Sequence, residues 1–273
     1  LGGKEAVPEY SYLAWFAMLF AAGMGIGLLF FGVLEPVYHM NVSGPLGVPL
    51  PIAEDGSIIP ENVEAARAMG LAATFYHWGL HGWAVYAIMA LALALFTYNK
   101  GLPFSIRSCF YPLLGDRVWG WPGHIIDILA VFATLFGLAT SLGLGAQQAN
   151  AGFNFAFGLE ISTNVQVVII LLVTAVALVS VWRGLDGGVK ILSEVNMIVA
   201  VLFFLFVLFV GPTLVGLDGF WTGLVAYTRE IIPLSNPFGR DDDAYREGWT
   251  AFYWAWWVSW APFVGMFIAR VSR

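Results

Sequence analysis

Four aromatic residues near the end of the chain, Tyr253, Trp256, Trp257 and Trp260, fall within about 100° of arc when placed on a helix, with Trp254 on a different face. Pro262 follows directly; it removes a backbone donor and favours a kink. A face of electron-rich rings beside a kink suits a cation without hydrogen-bond donors, such as a quaternary ammonium group, held by cation–π attraction. A bulky packing or lipid-facing surface explains one such stripe as well, and the residues alone favour that plainer explanation. A second aromatic group, Trp78, Trp83 and Tyr86, spreads over about 140° of one side of a helix. His77 and His81 sit together on the opposite side, four residues apart. Histidines at that spacing can hold a metal. With no third ligand evident nearby and no HExxH glutamate, satisfied histidines at a helix contact explain them better.

Gly23, Gly25 and Gly27 alternate with Met24 and Ile26 in the middle of an apolar run. Each glycine costs a helix about 1 kcal/mol relative to alanine. One explanation is a discontinuous helix whose freed backbone groups face a site at the bilayer midplane. The other is close helix packing through small residues. Packing motifs usually space small residues by four; spacing by two puts them on different faces and favours the interruption. Thr134, Thr140 and Ser141 are weaker candidates, since a hydroxyl can bond back to its own helix or coordinate a cation. Asp127 and Glu194 read as structural charges near span ends. No Ser–Lys pair, paired aspartates or HExxH motif lies within an apolar run, so the chain is not expected to be an enzyme.

The elements that must carry these residues follow from composition. Of 273 residues, 59% are hydrophobic and 11% charged, and the mean hydropathy is +0.78. Soluble domains carry about 25% charged residues, so this chain cannot cover a globular surface with polar groups. One cysteine, Cys109, excludes a disulfide framework, and a net charge of -6 argues against nucleic acid as a partner. A multi-pass protein of the lipid bilayer remains. A span needs about 20 apolar residues. Six runs qualify: residues 12–34, 68–96, 125–146, 165–182, 191–215 and 249–268. All read as helices, because each run is continuous rather than alternating and a helix satisfies its own backbone in hydrocarbon. Residues 35–67, 99–123, 147–164, 183–190 and 216–246 are the connections, and within the last of these residues 220–232 read as an amphipathic helix at the outer interface. With a cytoplasmic N-terminus, eight of the 12 Lys and Arg residues lie inside and the long acidic loops lie outside.

The strings Gly23-Met24-Gly25-Ile26-Gly27-Leu28, Glu35-Pro36, residues 75–86 and residues 249–269 resemble the betaine/choline/carnitine transporter family, and the resemblance covers essentially the whole chain. It implies an all-α polytopic membrane protein of the leucine-transporter-type inverted-repeat fold. This chain looks like spans three to eight of twelve: residues 12–215 as the first five-helix repeat, 216–246 as an outer amphipathic helix and loop, and 249–269 as the first helix of the second repeat. That would make 1–273 a fragment of a single transmembrane domain. The implied function is secondary active transport of a quaternary ammonium or other onium solute, by alternating access through an aromatic box. The box would comprise Trp78, Trp83, Tyr86, Trp256, Trp257 and Trp260, with Met24 lining it, which reverses the preference for packing at the stripe. Sodium is the implied coupling ion, with carbonyls of Ala21 and Met24 at one site and Thr134 and Phe263 at a second. Leu138 stands where the second site would have a threonine, and Gly27 stands where proton-coupled members tend to carry an aspartate. The alternatives are a proton-coupled or antiport member and an osmosensing receptor without turnover. A plasma (inner) membrane location, a homotrimer, no cofactor and no resident metal complete the expectation.

Overall fold

The computed structural model describes residues 6–23 and 25–272. Most of those residues are helical, with no strand among them beyond an isolated bridge between Ile52 and Ile58. In chain order the helices are α1 (Tyr12–Gly23), α2 (Ile26–Asn41), α3 (Pro60–Trp78), α4 (Leu80–Ala94), the short α5 (Tyr111–Leu114), α6 (Trp121–Phe157), α7 (Thr163–Trp182), α8 (Lys190–Val210), α9 (Thr213–Ser235) and α10 (Ala251–Val271). A π-helical segment, Ala244–Thr250, leads into α10.

Among the described residues, four helical stretches are long and apolar enough to cross a membrane, or five if α1 and α2 on either side of their break count as one span. Six were expected. The sixth, α10, has the 21 residues a span needs, but Tyr253, Trp254, Trp256, Trp257 and Trp260 add little to its hydropathy. The apolar stretch of α7 is only 6% buried within the protein, which leaves its Val and Leu side chains to a non-aqueous environment.

The boundaries differ from expectation where polar residues looked like loop. Glu35 does not open a loop: α2 runs through Glu35 and Pro36 to Asn41. Helix α3 begins eight residues early, at Pro60, whose missing N–H is harmless in a first turn. Helix α6 continues through Gln147 and Asn150 to Phe157, because nothing there breaks a helix until Gly158, which caps it at φ 71°. The second span is broken at Gly79, between Trp78 and Trp83.

The chain divides into two compact units. One comprises Leu28–Ala84 and Val201–Ala255. In it α2 and α3 pack antiparallel, with Glu35 against His77 and Met40 against Gly70. A Cβ at Gly70 would stand 2.6 Å from the Pro36 carbonyl oxygen, so only glycine permits this approach. Ala66, Gly70, Ala73 and His77 form one buried stripe at helical spacing. Helix α9 docks on α3, where Gly223 meets Leu71 and Phe75, and Ala72, Ala73 and Tyr76 form a core with Tyr227, Leu234 and Tyr245. The expected amphipathic helix is therefore the middle of a 23-residue helix packed along α3, and Arg67 pairs with Asp218 at 2.7 Å.

The other unit comprises Leu1–Gly27, Val85–Ala200 and Trp256–Arg273. Its core joins Ala90, Leu93 and Ala94 of α4 to Ile106 and to Ala269 of α10. Gly265 lies against Met89, and the Tyr98 hydroxyl donates to the Ala269 carbonyl at 3.1 Å. Helix α1 is tied to the end of α10 by Trp15 donating to Ser272 Oγ at 2.8 Å and by the Glu9–Arg270 pair at 2.7 Å.

Candidate functional site

The helix expected to be interrupted at the glycine stretch is interrupted: α1 ends at Gly23 and α2 begins at Ile26. A Cβ at Gly25 would meet no atom within 4 Å, so close packing does not explain that glycine among the described residues. Met24 lies outside the described residues. Ala21 falls in the last turn of α1, where carbonyls lack intrahelical donors and are available to other partners.

Of the expected box residues, Tyr86, Trp256, Trp257 and Trp260 belong to one unit. Tyr86 and Trp257 are buried and meet edge to face, with ring centroids 5.6 Å apart at 89°. Trp256 stacks beside Trp257 at 6.1 Å and 15°. Trp260 packs on Gly137 of α6 and against Phe263 at 5.6 Å, and its indole Nε1 has no hydrogen-bond partner among the described residues. Thr134 and Phe263 line one cavity of about 400 Å³ together with Asp127, Leu135, Pro262 and Met266. The Thr134 hydroxyl donates to the Ala130 carbonyl of its own helix at 2.8 Å, which leaves its oxygen lone pairs available.

Trp78 and Trp83 belong to the other unit, and Trp78 stands at the edge of a buried polar cluster that no single motif announced. Its centre is Glu35. Oε1 accepts from His39 Nε2 at 3.3 Å and from His77 Nδ1 through a short hydrogen bond. Oε2 accepts from the Tyr253 hydroxyl at 2.5 Å and from the Trp78 indole N–H at 3.0 Å. Glu35, His39 and His77 have no solvent exposure. The network sets the tautomers: His77 donates through Nδ1, so its Nε2 accepts from the Thr250 hydroxyl at 2.9 Å. Rings close the cluster off. His77 lies between Tyr253 and Tyr245 at 4.5 and 5.0 Å, and His39 meets Trp249 and Tyr245 edge-on at 4.9 and 5.0 Å. A buried carboxylate costs several kcal/mol unless its lone pairs are filled, and here four donors fill them.

Glu35, His39 and His77 are also the one group of metal-ligating side chains found among the described residues, with ligand atoms within 4.8 Å of one another. A metal would have to displace donors that already occupy both carboxylate oxygens, so the cluster as built is a hydrogen-bonded anion site. His77 therefore does not pair with His81. His81 instead contacts Ser235 Oγ at 3.0 Å and stacks on Trp254 at 5.6 Å. His39 was missed altogether, although Glu35 and His39 at i and i+4 in one helix were a readable signal. Tyr253, counted with the aromatic stripe, serves the carboxylate.

The fold and the site thus define a multi-pass, all-helical membrane protein with an interrupted helix, clustered aromatics and a buried anionic centre at Glu35. The chain belongs to the betaine/carnitine/choline transporter family, which it matches over residues 1–273, a family of transporters rather than enzymes. It is 59% identical over 278 residues to a glycine betaine/proline/choline transporter of Vibrio parahaemolyticus, covering 100% of this chain and 50% of that protein. It is 60% identical over 275 residues to a glycine betaine transporter of the same organism, with the same coverage. It is 48% identical over 276 residues to the glycine betaine transporter OpuD of Bacillus subtilis, covering 100% of this chain and 52% of that protein. The chain spans about half the length of the curated relatives it matches.

Proposed function

We propose that the protein carrying this chain is a secondary transporter of an onium solute of the glycine betaine type, with choline or carnitine as related substrates. The observation that supports this most is the match along the entire chain to relatives named as glycine betaine transporters. Trp78, Trp83, Tyr86, Trp256, Trp257 and Trp260, with Met24, would bind the solute through cation–π contacts. Alternating access would follow from rocking of the helices that carry these residues, with the glycine interruption and Pro262 as local irregularities. Sodium is the proposed coupling ion, near the Ala21 and Met24 carbonyls and near Thr134 and Phe263. It must bind the outward, substrate-ready state better than the other, since only differential affinity shifts an equilibrium. We place the protein in the plasma (inner) membrane with the N-terminal end of this chain cytoplasmic, as a homotrimer.

Uptake of labelled glycine betaine by cells that produce the protein and lack their own uptake systems tests this reading. Uptake should require external sodium. Trp257→Ala should weaken apparent affinity about 30-fold, the equivalent of about 2 kcal/mol for one desolvated cation–π partner. Unchanged uptake by Trp257→Ala and Trp260→Ala sinks the pocket assignment; uptake undiminished when potassium replaces sodium sinks the coupling.

A further inference from the structure

We infer that Glu35 is the positioning residue that sets the orientation of the Trp78 ring for the onium solute. The inference rests on the proposed function, since it takes Trp78 as a solute-binding ring. Trp78 is half-buried and ends α3, one residue before the break at Gly79, where a regular helix no longer fixes its direction. Its indole N–H reaches Glu35 Oε2 at 3.0 Å and the Tyr253 hydroxyl at the same distance, and Tyr253 itself donates to Oε2. The ring is thus held at its polar edge by one carboxylate from α2 and one hydroxyl from α10, and the Tyr253 ring meets it edge to face at 5.5 Å. Phe31 lies 6.3 Å away.

The rest of the cluster explains why a carboxylate can be that anchor. An indole N–H needs an acceptor, and an ionised carboxylate is the strongest one a side chain offers. A carboxylate so deep is tolerable only when its other lone pairs are occupied. His39 and His77 occupy Oε1, and Thr250 fixes the His77 ring from its far side. Glutamine in its place keeps the volume but supplies one acceptor oxygen and an NH2 that donates. It cannot accept from His39 and His77 on one atom and from Trp78 and Tyr253 on the other. One side of the network must then break, and the freed ring can rotate away from its binding orientation.

The arrangement also joins three helices at a single atom. Oε2 sits on α2, which begins immediately beyond the glycine break, and it holds Trp78 of α3 and Tyr253 of α10. Displacing α2 would reorient Trp78, so solute affinity at that ring and the position of the interrupted span would be linked.

The experiment compares wild type, Glu35→Gln, Trp78→Phe and the double variant in betaine uptake, each normalised to folded protein in the membrane. Trp78→Phe keeps an aromatic face and removes the N–H. Each single variant should raise KM about tenfold or more with the maximal rate within twofold, and the double variant should be no worse than the weaker single. Glu35→Asp should recover part of the affinity. A KM for Glu35→Gln within twofold of wild type overturns the inference, as do additive losses in the double variant, or a parallel fall in maximal rate with KM unmoved. Elemental analysis adds a separate outcome: about one transition-metal ion per purified chain, lost in Glu35→Gln, would make the cluster a metal centre and overturn it too. If Glu35→Gln does not fold, Trp78→Phe and Tyr253→Phe carry the comparison, since each removes one donor to Oε2 and retains a ring. The reading on which the inference rests fails separately, through absence of wild-type uptake or indifference to Trp257→Ala.

Discussion

At the scale of single residues, what a side chain is for depends on what other helices bring to it. His77 reads in sequence as a histidine satisfied at some helix contact, with no partner named; in the structure that partner is a carboxylate 42 positions earlier. Helical spacing places residues on a face but is silent about which helix covers that face. Gly70 shows the same dependence. In sequence it is an ordinary glycine; in the structure it lets α2 come close enough for Glu35 to reach His77 two turns further along α3. Gly70→Val should therefore push α2 off α3, because a Cβ there lies 2.9 Å from the Met40 amide nitrogen as well as 2.6 Å from the Pro36 oxygen. We expect a loss of about 1–3 kcal/mol from overpacking, measured as a lower thermal midpoint in detergent, together with a weaker solute affinity. A midpoint equal to that of wild type would mean that the two backbones are not locked together there.

At the scale of elements, the membrane character and most helix centres were legible, and the ends were not. Apolar runs of about 20 residues announce spans because hydrocarbon forces every backbone group into a helix. Polar residues at a span end carry no such force: Gln147 and Asn150 can extend a helix as readily as leave it, and α6 stops only at Gly158. The break at Gly79 was illegible for a further reason. It is stabilised from outside, by Tyr227 of α9, whose hydroxyl accepts the Leu80 N–H at 3.2 Å. Tyr227→Phe removes the acceptor and leaves that amide without it. A stranded amide costs about 1–3 kcal/mol, so the thermal midpoint should fall by a few degrees and amide exchange at Leu80 should accelerate. Exchange at Leu80 as slow as in wild type would show that the Tyr227 hydroxyl does not hold the break.

At the scale of the whole molecule, the sequence carries its orientation in the distribution of basic residues, which the fold alone leaves open. The proposed orientation puts residues 42–59, between α2 and α3, outside, and residues 99–120, between α4 and α6, inside. Cys109 makes the test clean. Burial pushes its thiol up to about 11 from an ordinary 9.0, so at neutral pH it holds about a hundredfold less thiolate than an exposed cysteine. The unaltered chain should then react slowly with a membrane-impermeant maleimide even after permeabilisation. Against that quiet background, Glu54→Cys should label in intact cells, while Leu113→Cys, at a position 80% exposed, should label only once the membrane is opened. The reverse pattern would invert the molecule, placing the acidic loop before α3 in the cytoplasm and the basic segment before α6 outside, against the charge bias. Rapid labelling of Cys109 after permeabilisation would instead show that the packing of Ile106 and its neighbours around this cysteine is looser than the structure has it.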